Sequence, residues 1–354
     1  MRIKEINNYE DFLTLKQRWK KILQKCDHSI FSTWEWISIW WKHLGKNKRP
    51  IILLTEDNDG VLGIAPFMYS VQKMFGLRIG KIEFIGTPNS DYNDFILAEK
   101  GEKCIKQMFD YISNNLSEKW DYIELTEIPE TTKSLMYLNK ISENVMVQKD
   151  ICSECPYIPL PKSFDILFDG LKAKTRSSLR RAMRRLQENY LVEVQDYSKT
   201  EKYKDGMEIL FNLHQKRWKS KDQPGIFDEQ KVRVFHLDIS RSFSEKGWLS
   251  LFSLLVDGEP VSSYYGFKYK HKVYAYLSGM DPEYQRFSVG NLLILDVMRN
   301  CIKEGLIEFD FLRGGEKYKY RWNSLSRRNY KVIFIKRGLR SRVKILARSL
   351  SRLY

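Results

Sequence analysis

The sequence predicts an α/β chain (α+β, mixed sheets) of two similar domains, each a mostly antiparallel, twisted sheet flanked by helices. Three observations carry this. The 354 residues exceed one ordinary domain and make two the natural count. With 43% hydrophobic residues there is material for two cores. The order strand, strand, strand, helix, strand is legible twice, about 190 residues apart, a spacing too long for a solenoid repeat.

The elements follow in order. Tyr9, Phe12, Leu13, Leu15, Trp19, Ile22 and Leu23 recur at helical spacing. Ser32 or Thr33 is positioned to cap a helix carrying Trp36, Ile37, Trp40 and Trp41. Ile51–Thr55, the turn Asp57-Asn58-Asp59-Gly60 and Val61–Tyr69 form a hairpin. A strand at 81–85, a helix at 102–116 and a strand at 122–125 complete the first set. Its counterpart is the hairpin 249–256 and 261–269 around Asp257-Gly258, a strand at 273–278, a helix at 290–303 and a strand at 307–311. Between the sets, Cys155–Pro161 holds three prolines and reads as an extended linker. The expected division is 1–155, 156–335 and a basic tail, 336–354.

The formal net charge of +16 favours anionic partners: phosphorylated cofactors, nucleotide-linked substrates, nucleic acid or an acidic membrane face. No apolar run approaches the roughly 20 residues that span a bilayer, and Met1–Glu5 lacks a signal-peptide core, so a cytoplasmic chain is expected. The five cysteines are scattered, and Cys152-x-x-Cys155 has no second pair, so no metal is expected.

The most informative stretch is Tyr274–Leu292. A strand runs into an irregular loop that opens a helix at Ser288-Val289-Gly290-Asn291. A helix start presents unpaired N–H groups and the positive end of the dipole, a ready site for pyrophosphate. Gly290 lets backbone approach a ligand closely. The alternative is a plain helix cap by Ser288.

Gln285-x-x-Ser288-x-Gly290 resembles the pyrophosphate loop of the GNAT acyltransferases, Q/R-x-x-G-x-G/A, with serine in place of the first glycine. The wider pattern covers Phe31-x-Thr33-Trp34-x-Trp36, Asp91-Tyr92-x-Asp94-Phe95, His214-x-x-Arg217-Trp218, Tyr276-x-Ser278-Gly279-x-Asp281-Pro282, and Phe309–Phe311 through Arg313-Gly314-x-Glu316-x-Tyr318-Lys319 to Trp322. It resembles the CelD/BcsL-like GNAT proteins of polysaccharide synthesis from about residue 28 to 325. The doubled layout is similar to the FemABX peptidoglycan transferases.

The resemblance implies tandem GNAT-like domains and an acyl-CoA site confined to the second half. Acetyl-CoA or another acyl-CoA would meet Leu277, Ser278, Gln285, Arg286, Ser288, Val289, Gly290 and Asn291. The first half has Gly86-Thr87-Pro88-Asn89 at the matching place, and Pro88 disfavours a nest of amides. An amine acceptor needs a base to take its proton. His214, Glu316 and Asp91 are the candidates, and Tyr276 is a candidate acid for the thiolate. His214 reads equally as a partly buried structural histidine, and Glu316 as a salt-bridge partner of Arg313 or Lys319. The acceptor, an amino sugar or a lipid- or nucleotide-linked envelope precursor, would meet Trp34, Tyr92, Arg217, Arg313 and Lys319.

Two basic segments stand out. Over 171–186, Leu179, Ala182, Met183 and Leu186 form an apolar stripe, while Arg176, Arg180 and Arg184 share another face, suited to phosphates or equally to plain solvation as a basic surface. The tail has seven basic and no acidic residues around a leucine stripe, fit for an anionic membrane or for the protein's own surface. Two other classes stay open: a transferase using aminoacyl-tRNA, and a non-catalytic scaffold of a membrane synthase complex.

Overall fold

A computed structural model describes residues 1–74, 77–141 and 145–337. The chain forms two compact units: Met1–Ser153 with the chain from Arg328 on, and Glu154–Arg327.

The first unit contains β1 (Arg2–Ile6), α1 (Tyr9–Thr14), α2 (Lys16–Leu23), α3 (Trp34–Leu44), β2 (Arg49–Asp57), β3 (Gly60–Met74), β4 (Leu77–Phe84), β5 (Ile96–Leu97), α4 (Gly101–Asn115), β6 (Tyr122–Pro129), α5 (Lys133–Leu138) and the start of β7 (Val145–Pro159). Its sheet runs β1-β2-β3-β4-β6, antiparallel except for β4 against β6. Gly60, at φ +123°, supplies the turn of the β2–β3 hairpin. Thr33 caps α3, its hydroxyl accepting from the Trp36 N–H at 3.4 Å. Helix α4 buries Cys104, Ile105, Met108 and Ile112 on the sheet, a stripe set by its 3.6-residue period.

The second unit contains α6 (Phe164–Gly170), α7 (Ala173–Gln187), β8 (Val192–Asp196), α8 (Tyr203–Lys219), α9 (Gln230–Ser244), β9 (Leu249–Val256), β10 (Glu259–Tyr269), β11 (Lys272–Met280), α10 (Val289–Lys303) and β12 (Glu308–Asp310); β13 (Leu325–Lys336) starts at its end and lies mostly in the first unit. Its sheet runs β8-β9-β10-β11-β12-β7, antiparallel except for β11 against β12. The core on one face joins α6, α7 and α10 to Phe252, Leu254, Val261 and Val273. Helices α8 and α9 cover the other face, where Phe243 meets Phe267 edge-on at 5.1 Å. Every residue of β9 is buried, which is why it reads as an unbroken apolar run rather than an alternation.

Two features depart from the sequence reading. The proline-rich stretch is a strand rather than a linker: Tyr157, Ile158 and Pro159 pair with β12, and the Pro156 carbonyl accepts from the Phe311 N–H at 2.9 Å. The chain from Arg328 on goes with the first unit, not the second, because Asn329–Ile335 pair antiparallel with β6. The basic tail, beyond Arg337, lies outside the described residues.

Candidate functional site

The site begins with a parting of two strands. β11 and β12 pair over three residues only, Lys272–Tyr274 against Glu308–Asp310. Beyond Asp310 the chain turns away: Leu312 takes a left-handed φ of +58°, and its N–H donates to Asp310 Oδ1 at 2.8 Å. β11 continues to Met280, so the β12 side of Leu277 and Ser278 has no ladder partner among the described residues. A β-bulge reinforces the divergence. Tyr265 pairs with Leu277 and Gly266 with Ala275, leaving Tyr276 as the extra residue. Gly279 is required here, because a Cβ would lie 2.6 Å from the His214 backbone nitrogen on α8.

The loop after β11 delivers the chain to the start of α10. Asp281 accepts from the Glu283 N–H at 3.0 Å and pairs with Lys216. Ser288 then adopts φ +54°, ψ 36° and makes no side-chain capping bond, so it is not a plain cap. This left-handed geometry favours glycine and explains why serine is tolerated only under strain. With Ser288 turned this way, the N–H groups of Val289 and Gly290 open the helix. A Cβ on Gly290 would meet nothing within 4 Å, so a ligand can approach the backbone there. Gln285 and Arg286 are exposed beside it.

A cavity of about 380 Å³ adjoins this helix start, and Ser288 and Asn291 line it. Lys172 and Lys174, at the start of α7, with Lys317 and Arg321 make its wall basic. Two helix starts and four cations thus meet one cavity, a setting that favours phosphate. Trp322 also lines it, with a buried indole N–H that has no acceptor.

The chemistry-bearing side chains fall into two groups. In the second unit, Arg217 on α8 reaches Ser278 Oγ at 3.4 Å. Tyr318 lies near Arg217 and Glu316; burial, then the Glu316 charge, pushes its phenol up to about 12, against the pull of Arg217. Tyr318 is therefore protonated at neutral pH. In the sequence Tyr318 is one position of the Arg313–Trp322 motif, with no local signal of this role. Tyr276 packs in an aromatic cluster, its ring centroid 5.5 Å from His236 and 5.2 Å from Phe267. His214 is buried, and Nε2 accepts from the Trp218 indole N–H at 2.9 Å.

Lys319 is not available to an acceptor. It is 3% exposed, and its ammonium donates to the carbonyls of Leu312, Arg313 and Gly314 at 3.3, 2.8 and 3.0 Å while pairing with Glu316 at 2.9 Å. It staples the loop that carries Arg313 and Glu316. Gly314, at φ +113°, fits because a Cβ would strike the Glu316 carboxylate.

In the first unit the corresponding cleft is filled by its own chain. The loop after β4 folds back, with Ser90, Asp91, Tyr92 and Asn93 buried. Trp36 donates to Ser90 Oγ at 2.8 Å and Trp40 to Asn89 Oδ1 at 2.9 Å. The Asn93 N–H donates to the Glu127 carbonyl of β6 at 2.8 Å. Asp91 and Tyr92 are thus interior residues of this loop. Trp34 is not at a cleft either: it is 5% exposed and packs on Phe12 at 4.8 Å and Trp19 at 5.7 Å. Among the described residues, no cluster of three or more His, Cys, Asp or Glu is grouped to hold a metal, and no helix is long and apolar enough to cross a membrane.

Residues 173–320, which contain the parted strands and the α10 start, match the family model described as the acetyltransferase (GNAT) domain. Comparison with curated proteins gives no match. Among solved structures, FemX is similar at 11% identity, with a TM-score of 0.62 over 94% of this chain and 97% of its own. L-PGS from Bacillus licheniformis is similar at 11% identity and a TM-score of 0.53, over 94% and 96%. A tandem GNAT protein from the clavulanic acid biosynthesis pathway aligns at 8% identity and a TM-score of 0.53, over 95% and 100%. At these identities the likeness is one of fold, and the fold of this chain is the α/β architecture of tandem GNAT proteins.

Proposed function

We propose that the second unit is an acyl-CoA-dependent N-acyltransferase acting on an amino sugar or a related envelope or polysaccharide precursor. The observation that carries this is the parting of β11 from β12 beside the open start of α10. Acyl-CoA would supply a thioester carbonyl for attack by an amine.

The unpaired edge at Leu277 and Ser278 suits the amide groups of a pantetheine arm, and a fixed N–H there can stabilise a developing oxyanion. The Val289 and Gly290 amides suit the pyrophosphate, with Lys172, Lys174 and Arg321 offsetting its charge. Tyr318, held protonated, can donate to a thiolate leaving group. Glu316, with an exposed side chain at the edge of the stapled loop, is the carboxylate retained as base. His214 is set aside, because its acceptor nitrogen is engaged by Trp218. The polysaccharide context rests on the likeness of the motifs to the CelD/BcsL-like proteins.

The test is a donor panel. The purified chain is incubated with acetyl-CoA, longer acyl-CoAs and aminoacyl-tRNA, and binding and thiol release are measured. Saturable acyl-CoA binding with acceptor-dependent thiol release supports the reading. Consumption of aminoacyl-tRNA alone, or engagement of no donor, overturns it.

A further inference from the structure

A second cavity, of about 490 Å³, runs along the outer side of α7 between α6 and α10. Its floor is apolar: Phe164 and Phe168 lie nearly parallel, with centroids 5.8 Å apart and planes at 24°, beside Met183, Leu292 and Leu295. Its rim carries Arg180, Arg184 and Arg299, against one carboxylate, Glu188. Two of these arginines are held over the floor by its own rings. Arg180 sits 5.0 Å above Phe168 and Arg299 4.1 Å above Phe164. The groove therefore has two zones, an apolar bed and a cationic lip, arranged over one another.

We propose that this groove binds a single anionic phospholipid, its acyl chain on the Phe164–Leu295 floor and its phosphate on Arg180 and Arg184. The inference is independent of acyl transfer.

Charge selects the occupant. Arg299 is matched by Asp296 at 2.6 Å. Arg184 has only Glu188, at 3.6 Å, and both side chains are largely exposed, a pair worth little in water. Among the described residues no carboxylate pairs with Arg180. Helix α7 has six basic residues and no acidic one. Arg176 is the exception to the phosphate-facing set, because its guanidinium donates to the Asp169 and Leu171 carbonyls and fixes the α6–α7 turn. The chain's own tail, 336–354, has seven basic residues and no acidic one, so like charge opposes its seating here. A soluble phosphate would use the rim and leave the aromatic floor wet. A phospholipid covers both zones. On α6, Ile166 is 60% exposed and adds apolar surface on the helix that borders the groove.

The test is co-sedimentation of the full chain with vesicles of equal parts phosphatidylcholine and phosphatidylglycerol, against phosphatidylcholine alone. The intact protein is expected to pellet with the anionic vesicles. Replacing both Arg180→Ser and Arg184→Ser should weaken this by roughly thirtyfold. Met183→Trp, which fills the floor without changing charge, should weaken it by roughly tenfold. Gln187→Trp, on the exposed lip, provides the same blockade without touching the core. Soluble glycerol phosphate should not compete. The proposal fails if both tryptophan variants pellet like the parent, since charge alone would then hold the vesicle. It also fails if glycerol phosphate competes, or if a protein rather than lipid displaces a probe on Met183→Cys. Acyl-CoA affinity, measured on the same variants, should be unchanged, and its absence in the parent would count against the transferase reading only.

Discussion

Trp218 donates its indole N–H to Nε2 of His214, one helical turn earlier on α8, at 2.9 Å. The imidazole proton must then sit on Nδ1, which is buried without a partner and faces Gly225. Burial, with Arg217 adding to it, lowers the His214 pKa to about 4. The residue type best suited to proton transfer at neutral pH is thus held neutral, with its lone pair already engaged.

An acid-sensitive fold follows. His236 is also buried, with neither ring nitrogen bonded, and burial lowers its pKa to about 3. Unfolded, both histidines take protons near pH 6.5; folded, they do so only near pH 4 and 3. The unfolded state binds more protons in that window, so stability is full above pH 6.5 and declines on acidification. His214 alone should account for a loss of roughly 3 kcal/mol by pH 4. Thermal melts from pH 7.5 to 4 should show this limb, and His236→Phe should make it shallower. An unchanged slope in that variant would argue against the histidine origin.

Gly290→Leu should fold normally, since its side chain enters open space, yet lose acyl-CoA affinity by more than about tenfold. Calorimetry on the variant checks this. Normal affinity would remove the α10 start from the donor site.

Ser288 separates strain from binding. Ser288→Gly relieves the left-handed backbone and should leave the melting temperature equal or higher, whereas Ser288→Val should destabilise by about 1–2 kcal/mol. The two variants are compared by denaturant midpoint. Equal midpoints would mean that the conformation at φ +54° carries no strain.

Tyr318→Phe and Glu316→Gln should each lower kcat by roughly 10²-fold or more while acyl-CoA binding survives. Full turnover in both variants would eliminate them as proton carriers.

Lys319→Met tests the loop staple. It leaves three buried carbonyl contacts and one ion pair unmade, a loss of roughly 3 kcal/mol. Chemical denaturation measures it. A neutral result would show that the loop at 312–316 holds itself.

Much of the fold was legible because its signals are local. The turn at Asp57–Gly60, the apolar spacing of α4 and the serine–glycine start of α10 each lie within a few residues of chain. What was not legible depends on distant pairing. The bulge at Tyr276 is a matter of register against β10, and the return of Asn329–Ile335 to β6 bridges about 200 residues. Trp34 illustrates a third limit. A tryptophan in a polar-flanked motif has the same sequence signal whether it lines a cleft or packs on Phe12 and Trp19. Lys319 is similar: its charge suggested a ligand, and only the folded loop reveals the carbonyls that claim it.

The loop that Trp36 and Trp40 clamp in the first unit also fixes a count. That unit repeats the strand order of the second, but the space beyond β4 is occupied by Ser90–Asn93, tied to Glu127. On the proposed reading, a chain with two copies of one architecture would then hold one donor molecule rather than two. A binding isotherm should saturate at a stoichiometry of one, however high the donor concentration is raised.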